Sequence, residues 1–86
     1  PGIAHTSAAR AGVAELSRSL AYEWGPKVRI NCVAPGPIQT VAFEQTYDPQ
    51  IASLFDCLPI PRFGRPEEVA WAVTFLASPA SAWTTG

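Results

Sequence analysis

The sequence has little of what several large classes of protein require. It has no block of basic residues, and its six basic and seven acidic residues give a formal net charge of -1. A nucleic acid or an anionic membrane surface is therefore not an expected partner. No apolar run is long enough to span a bilayer, and no secretory signal is visible. The composition, with 48% apolar and 15% charged residues, is that of a globular protein.

Methionine is absent and cysteine is scarce. The 86 residues begin with Pro-Gly, and we expect them to be a piece of a longer chain that holds one small domain at most. The two cysteines, Cys32 and Cys57, lack the spacing of a metal site, so no bound metal is predicted. Both are interpreted as small buried side chains in a reducing compartment.

Proline and glycine divide the chain into segments. From Ser7 to Trp24, apolar residues recur every three or four positions, which predicts an amphipathic helix that Gly25-Pro26 ends. The run Val28–Pro35 is rich in β-branched residues and predicts a strand covered on both faces, as in a parallel sheet. A helix followed closely by such a strand is half of a βαβ unit, so we predict an α/β fold.

The second half of the chain begins with a rigid loop, Pro35–Thr40, at the carboxyl end of the predicted strand. Ligands of open α/β sheets bind at that end. The pattern from Val41 to Leu58 is ambiguous, with one or two short helices broken near Asp48-Pro49, and we interpret this segment as a flap over the strand ends. A last helix is predicted over Pro66–Ala77, because proline suits its first position and two glutamates follow.

These segments, in this order, resemble the C-terminal half of the short-chain dehydrogenase/reductase family. The matching motifs are Pro35-Gly36-x-Ile38-x-Thr40 and Arg62-x-Gly64-x-Pro66-Glu67-Glu68-Val69-Ala70. The opening HTSAARAGV is most similar to the branch that contains the peroxisomal-type trans-2-enoyl-CoA reductases, and it also resembles bacterial citronellol or citronellal dehydrogenases. The resemblance implies that residues 1–86 are the incomplete C-terminal portion of one NAD(P)-binding Rossmann domain. Its doubly wound parallel sheet would carry the substrate flap at about 41–60.

The family's usual catalytic pair is replaced in this sequence. In most members a tyrosine, and a lysine four residues later, share one face at the start of the first helix. The tyrosine exchanges a proton with the substrate oxygen, and the lysine binds the nicotinamide ribose. Thr6 falls on the tyrosine position and Arg10 on the lysine position. A threonine hydroxyl does not serve as that acid, and arginine keeps its charge without shuttling a proton.

The resemblance makes Arg10 a candidate ribose ligand, and it makes Arg10, Thr6 and His5 candidate donors to the substrate. The alternatives are a solvated arginine, an ordinary loop histidine, and a helix cap formed by Thr6 and Ser7. In the family, the loop with Pro35, Gly36, Ile38 and Thr40 surrounds the nicotinamide. The backbone of Ile38 would meet the carboxamide, and Thr40 would reach the carboxamide or a phosphate.

The flap aromatics Phe43 and Tyr47 are candidate residues of a substrate pocket for the acyl group, with packing of the flap as the alternative. The resemblance implies an NAD(P)-dependent oxidoreductase, with NADP slightly preferred over NAD. Reduction of an enoyl-CoA suits the altered pair, because hydride and proton both end on carbon and stabilising the enolate matters most.

Two other functions remain open. One is a secondary-alcohol or 3-ketoacyl dehydrogenase/reductase, and the other is a non-catalytic member that acts as a binding or assembly subunit. The small residues of the first helix permit close helix approach, and the family implies a homo-oligomer, a dimer or a tetramer. The expected compartment is the cytoplasm, or the peroxisome in a eukaryote.

Overall fold

The computed structural model of the protein describes residues 2–46 and 48–86. These contain helices α1 (Ala4–Trp24), α2 (Val41–Thr46) and α3 (Pro66–Ala77), and the 3₁₀-helices Pro49–Cys57 and Pro79–Ser81. The chain divides into two compact units. The first comprises everything up to Val33 together with Phe75–Gly86, and the second comprises Ala34–Thr74. Within the described residues, none of the helices has the length and apolarity needed to cross a membrane.

Helix α1 begins at Ala4 rather than at the predicted Ser7 and ends at Trp24 as predicted. Its N-cap is Ile3, which makes no side-chain capping bond, and the N–H of Ser7 donates to the Ile3 carbonyl at 2.9 Å. The capping role considered for Thr6 and Ser7 is therefore wrong, since both lie inside the helix. Gly25 ends the helix, and its N–H donates to the Ala21 carbonyl at 3.1 Å.

The predicted bounds of α3 are confirmed. Pro66 occupies the first helical position, where its missing N–H costs nothing, and two glutamates lie in the first turn, near the positive end of the helix dipole. The segment 41–60 forms two short helices rather than one. The second begins after Asp48, whose Oδ1 accepts a hydrogen bond from the N–H of Gln50 at 3.0 Å.

The strand predicted over Val28–Pro35 is wrong for the described chain. Ile30 accepts a hydrogen bond from the N–H of Gly86 at 2.7 Å and donates to the hydroxyl of Thr85 at 3.0 Å, but no ladder forms. A parallel ladder needs a second strand reached by a long crossover. In the part of the chain that the structure describes, the one β-bridge is an isolated parallel pair, Ile38 with Gly64. Local composition favoured a strand, but a strand exists only with its partner.

Few apolar side chains are buried. Among the described residues, the buried apolar ones are Ala21 and Phe55, at 5% and 7% exposure. Leu16 and Trp24, on the predicted apolar face of α1, are 58% and 51% exposed. The predicted burial of both cysteines is also wrong, since each is exposed. Burial requires a facing surface, and the described residues supply little of it.

Hydrogen bonds from Arg29 connect the segment after α1 to the end of α3 and to the residues that follow it. Its Nη2 donates to the Leu76 carbonyl at 2.9 Å, and its Nη1 donates to the Ser81 hydroxyl at 3.0 Å and the Thr84 carbonyl at 3.1 Å. Ser81 is 1% exposed, and its hydroxyl donates to the Leu76 carbonyl at 2.8 Å. Asn31 adds a bond from its Nδ2 to the Thr84 carbonyl at 2.9 Å. One guanidinium thus satisfies acceptors at the end of α3 and beyond it.

We expect Arg29→Met in the whole protein to lower the free energy of unfolding by about 2 kcal/mol, because it leaves the buried Ser81 hydroxyl without its donor. Urea unfolding measures the change. Arg18→Met is the matched control. Arg18 pairs with Glu15 at 3.9 Å with both side chains about two-thirds exposed, so its loss should cost less than about 0.5 kcal/mol. Equal losses in the two variants would contradict the role given to Arg29.

Candidate functional site

The loop Pro35–Thr40 is held by backbone hydrogen bonds to Gly64. The N–H of Gly64 donates to the Pro37 carbonyl at 3.0 Å, and the N–H of Gln39 donates to the Gly64 carbonyl at 2.9 Å. In such a parallel bridge the N–H and carbonyl of the middle residue, Ile38, point away from the partner. Neither group has a hydrogen-bond partner among the described residues. The loop therefore presents one free donor and one free acceptor on a single residue.

A cleft of about 480 Å³ adjoins this bridge. It is lined by the loop residues Gly36, Pro37 and Ile38, and by Leu58, Pro59, Ile60, Arg62, Gly64 and Glu68. A Cβ atom added to Gly36 would meet nothing within 4 Å. The loop therefore leaves open space at Gly36, where a ligand can approach the backbone closely.

Thr40 has a structural role that sequence reasoning missed. Its Oγ1 accepts a hydrogen bond from the N–H of Phe43 at 3.1 Å, and its carbonyl accepts one from the N–H of Glu44 at 2.9 Å. Thr40 therefore caps α2, and a threonine directly before a short helical segment was the available signal. The Nε2 of Gln39 also donates to Glu44 Oε1 at 3.0 Å. The hydroxyl of Thr40 retains a hydrogen to donate while it accepts the capping bond.

Three phenylalanine rings pack together in the second unit. The centroids of Phe43 and Phe63 lie 4.9 Å apart at an angle of 62°, and those of Phe55 and Phe63 lie 4.1 Å apart. Phe43, predicted to line a substrate pocket, thus packs the flap against the segment that contains Phe63. It also lines a small cavity of about 170 Å³ with Gln39 and Glu44. Tyr47, the other predicted pocket residue, lies outside the described residues.

Arg62 and Glu68 form an ion pair within the second matching motif. The Nη2 of Arg62 lies 2.6 Å from Glu68 Oε1, its Nη1 donates to Oε2 at 2.8 Å, and the N–H of Arg65 also donates to Oε2 at 2.8 Å. The Arg62 hydrogen bond and then the Arg65 backbone bond lower the pKa of Glu68 from its ordinary 4.5 to about 2. A spacing of six positions gives no local signal for this pair, because the way the chain turns between the two residues brings them together.

The catalytic candidates lie on α1, in the first unit. Thr6 is half-buried, and His5 and Arg10 are exposed. Thr6 and Arg10 are four residues apart in a continuous helix and share a face, while His5 is displaced by about 100° around the axis. The part of the chain that the structure describes provides no ion-pair partner for Arg10 and no cluster of three or more His, Cys, Asp or Glu suited to a metal.

The family of the chain follows from its similarity to known proteins. A family model described as Enoyl-(Acyl carrier protein) reductase matches residues 1–86. A crystal structure from Brucella melitensis, described as a short-chain dehydrogenase/reductase of the glucose/ribitol dehydrogenase type, superposes with a TM-score of 0.85 at 32% identity over 96% of this chain and 34% of that one. The chain belongs to the short-chain dehydrogenase/reductase family. This similarity supports the predicted α/β fold, although the described residues form helices and a single bridge.

Two curated relatives carry names that indicate activity on acyl thioesters. A Bacillus subtilis protein named "Probable 2,4-dienoyl-CoA reductase" is 40% identical over 99% of this chain and 35% of its own length. The 3-oxoacyl-(acyl-carrier-protein) reductase FabG of Thermotoga maritima is 39% identical over 100% of this chain and 35% of its own length. The chain therefore spans about a third of the length of these relatives.

The pKa of Glu68 predicts a pH dependence of stability. Because the folded-state pKa is lowered, ionised Glu68 stabilises the folded state above pH 4.5, and that contribution disappears as the pH falls towards 2. Urea unfolding of the whole protein should therefore show that wild type has a higher free energy of unfolding than Glu68→Gln above pH 4.5, and that this difference narrows as the pH falls towards 2. Glu67→Gln, in the same turn, is the matched control and should produce a smaller difference. The prediction would be contradicted if the difference in free energy of unfolding between wild type and Glu68→Gln stayed constant with pH. It would also be contradicted if Glu67→Gln produced a difference of the same size.

Proposed function

We propose that the whole protein is an NAD(P)-dependent oxidoreductase that reduces the carbon–carbon double bond of an enoyl-CoA or a similarly conjugated acyl thioester. This chain would be the C-terminal portion of its Rossmann domain, with a doubly wound parallel sheet and with residues 41–60 as the substrate flap. Membership of the family supports the class of reaction. The relative named as a dienoyl-CoA reductase supports the class of substrate.

The observation that supports binding of a nicotinamide cofactor is the unpaired N–H and carbonyl of Ile38. A primary carboxamide has one acceptor and one amide donor group, and both would find a partner on this residue. Open space beside Gly36 suits the close approach of a flat ring to the loop. When bound, the nicotinamide ring supplies hydride. The loop residues Pro35 and Gly36 shape the approach, and the Thr40 hydroxyl can donate its remaining hydrogen.

The side chains on α1 favour reduction of a double bond over reduction of a ketone. Ketone reduction needs a proton donor at the alkoxide oxygen, which a tyrosine with a pKa near 10 supplies and a threonine does not. Reduction of a conjugated double bond builds charge on the thioester oxygen, and a fixed cation or hydroxyl donor is enough to stabilise it. We propose Arg10 for the ribose and that charge, with Thr6 and His5 as further hydrogen-bond donors.

A second candidate is a 3-ketoacyl reductase, supported by the relative from Thermotoga maritima. The flap aromatics Phe43 and Tyr47 are the proposed acyl contacts in either case. NADP as the preferred cofactor, a homo-oligomer as the assembly and the cytoplasm as the compartment are further proposals, and the family resemblance is what supports them.

The experiment that tests the function follows oxidation of NADPH and NADH by the whole protein with three substrates. These are a trans-2-enoyl-CoA, a 3-ketoacyl-CoA and a simple ketone. Turnover of the enoyl-CoA alone is expected. Turnover of the 3-ketoacyl-CoA alone would favour the second candidate, and cofactor binding without turnover of any substrate would favour a non-catalytic member.

Arg10→Ala should weaken NADPH binding about tenfold or more, because it removes a charged hydrogen-bond donor to the ribose. Fluorescence titration of the cofactor measures this change. Arg10→Lys, which keeps the charge, should restore most of the affinity. Arg18→Ala, on the same helix, should leave it unchanged. If Arg10→Ala left turnover and cofactor affinity unchanged, the proposed role of Arg10 in the site would be wrong.

A further inference from the structure

Gly64 leaves a space that the side chain of Ile38 occupies. A Cβ atom added to Gly64 would lie 2.7 Å from Ile38 Cδ1, whereas carbon atoms in contact are normally about 3.5–4.0 Å apart. The next nearest atoms, the Pro37 carbonyl oxygen at 3.7 Å and Glu68 Oε2 at 3.8 Å, would be ordinary contacts. Gly64 does not have a positive φ. The lack of a Cβ at position 64 therefore leaves room for the Ile38 side chain, and backbone conformation does not call for glycine there.

The backbone at Gly64 is the less movable side of this contact. Its N–H and carbonyl both bond to the loop, to Pro37 and Gln39. The next residue, Arg65, is held through its backbone N–H, which donates to Glu68 Oε2 at 2.8 Å. By contrast, Ile38 Cδ1 is the end of a flexible side chain. A larger residue at position 64 would therefore displace Ile38, either by turning its side chain or by stretching the two bonds of the bridge.

We propose that Gly64 is a positioning residue for cofactor binding. By lacking a side chain it lets the Ile38 side chain pack against it while the two backbone bonds of the bridge are kept, and those bonds direct the free N–H and carbonyl of Ile38 away from the partner. The inference rests on the proposed function, which assigns those two groups to the nicotinamide carboxamide. Gly64 itself touches no ligand in this proposal and acts only through Ile38.

The test is a double-mutant cycle in the whole protein with Gly64→Ala and Ile38→Val, since valine lacks the Cδ1 atom that collides. Gly64→Ala should raise the Kd for NADPH about three- to tenfold, the effect of one misaligned hydrogen bond. In the Ile38→Val background the same substitution should change the Kd by less than about twofold. Urea unfolding of all four proteins separates this change from a loss of stability.

Ile3→Val provides the matched control background. Ile3 is 66% exposed and also loses one δ-methyl, so Gly64→Ala should keep its full effect on the Kd there. An unchanged Kd in Gly64→Ala, or an equal increase in the Ile38→Val and Ile3→Val backgrounds, would overturn the positioning role alone. A wild-type protein that binds neither NADPH nor NADH would overturn the proposed function, and the inference with it.

Discussion

Hydrogen bonding between segments that are distant in sequence is the constraint on which each unit depends. Contacts between apolar side chains accompany these bonds in the second unit, where the rings of Phe43 and Phe55 pack against Phe63. In the first, the guanidinium of Arg29 binds Leu76, Ser81 and Thr84. In the second, the pairing of Ile38 with Gly64 sets the course of the loop. Directional bonds of this kind specify geometry strongly while adding modest net stability.

The elements that could be predicted from the sequence are those whose signals are local. Pro66 and the glutamates after it define the start of α3, and Gly25 defines the end of α1, because capping and dipole effects act within one turn. The start of α1 was placed too late, since Ile3 gives no capping signal. The strand over Val28–Pro35 failed because strand formation depends on a partner that the segment does not itself contain.

The candidate site also divides into features with a local sequence signal and features that depend on distant residues. The motif around Pro35–Thr40 was found from its own residues, and so was the helical spacing of Thr6 and Arg10. The ion pair between Arg62 and Glu68 was missed, because it depends on how the chain turns between the two residues. The contact between Gly64 and the Ile38 side chain was also missed, because Ile38 is 26 positions away and only the folded chain brings the two together.

The ring of Phe63 contacts aromatic side chains from both short helices of the segment 41–60, through Phe43 and Phe55. Its neighbour in sequence, Gly64, is bonded to the loop that contains Ile38. Two adjacent residues therefore connect the helices to the loop mechanically. The position of the loop thus depends on two kinds of contact on neighbouring residues, ring packing at Phe63, which acts over a range of angles, and backbone hydrogen bonds at Gly64, which are directional.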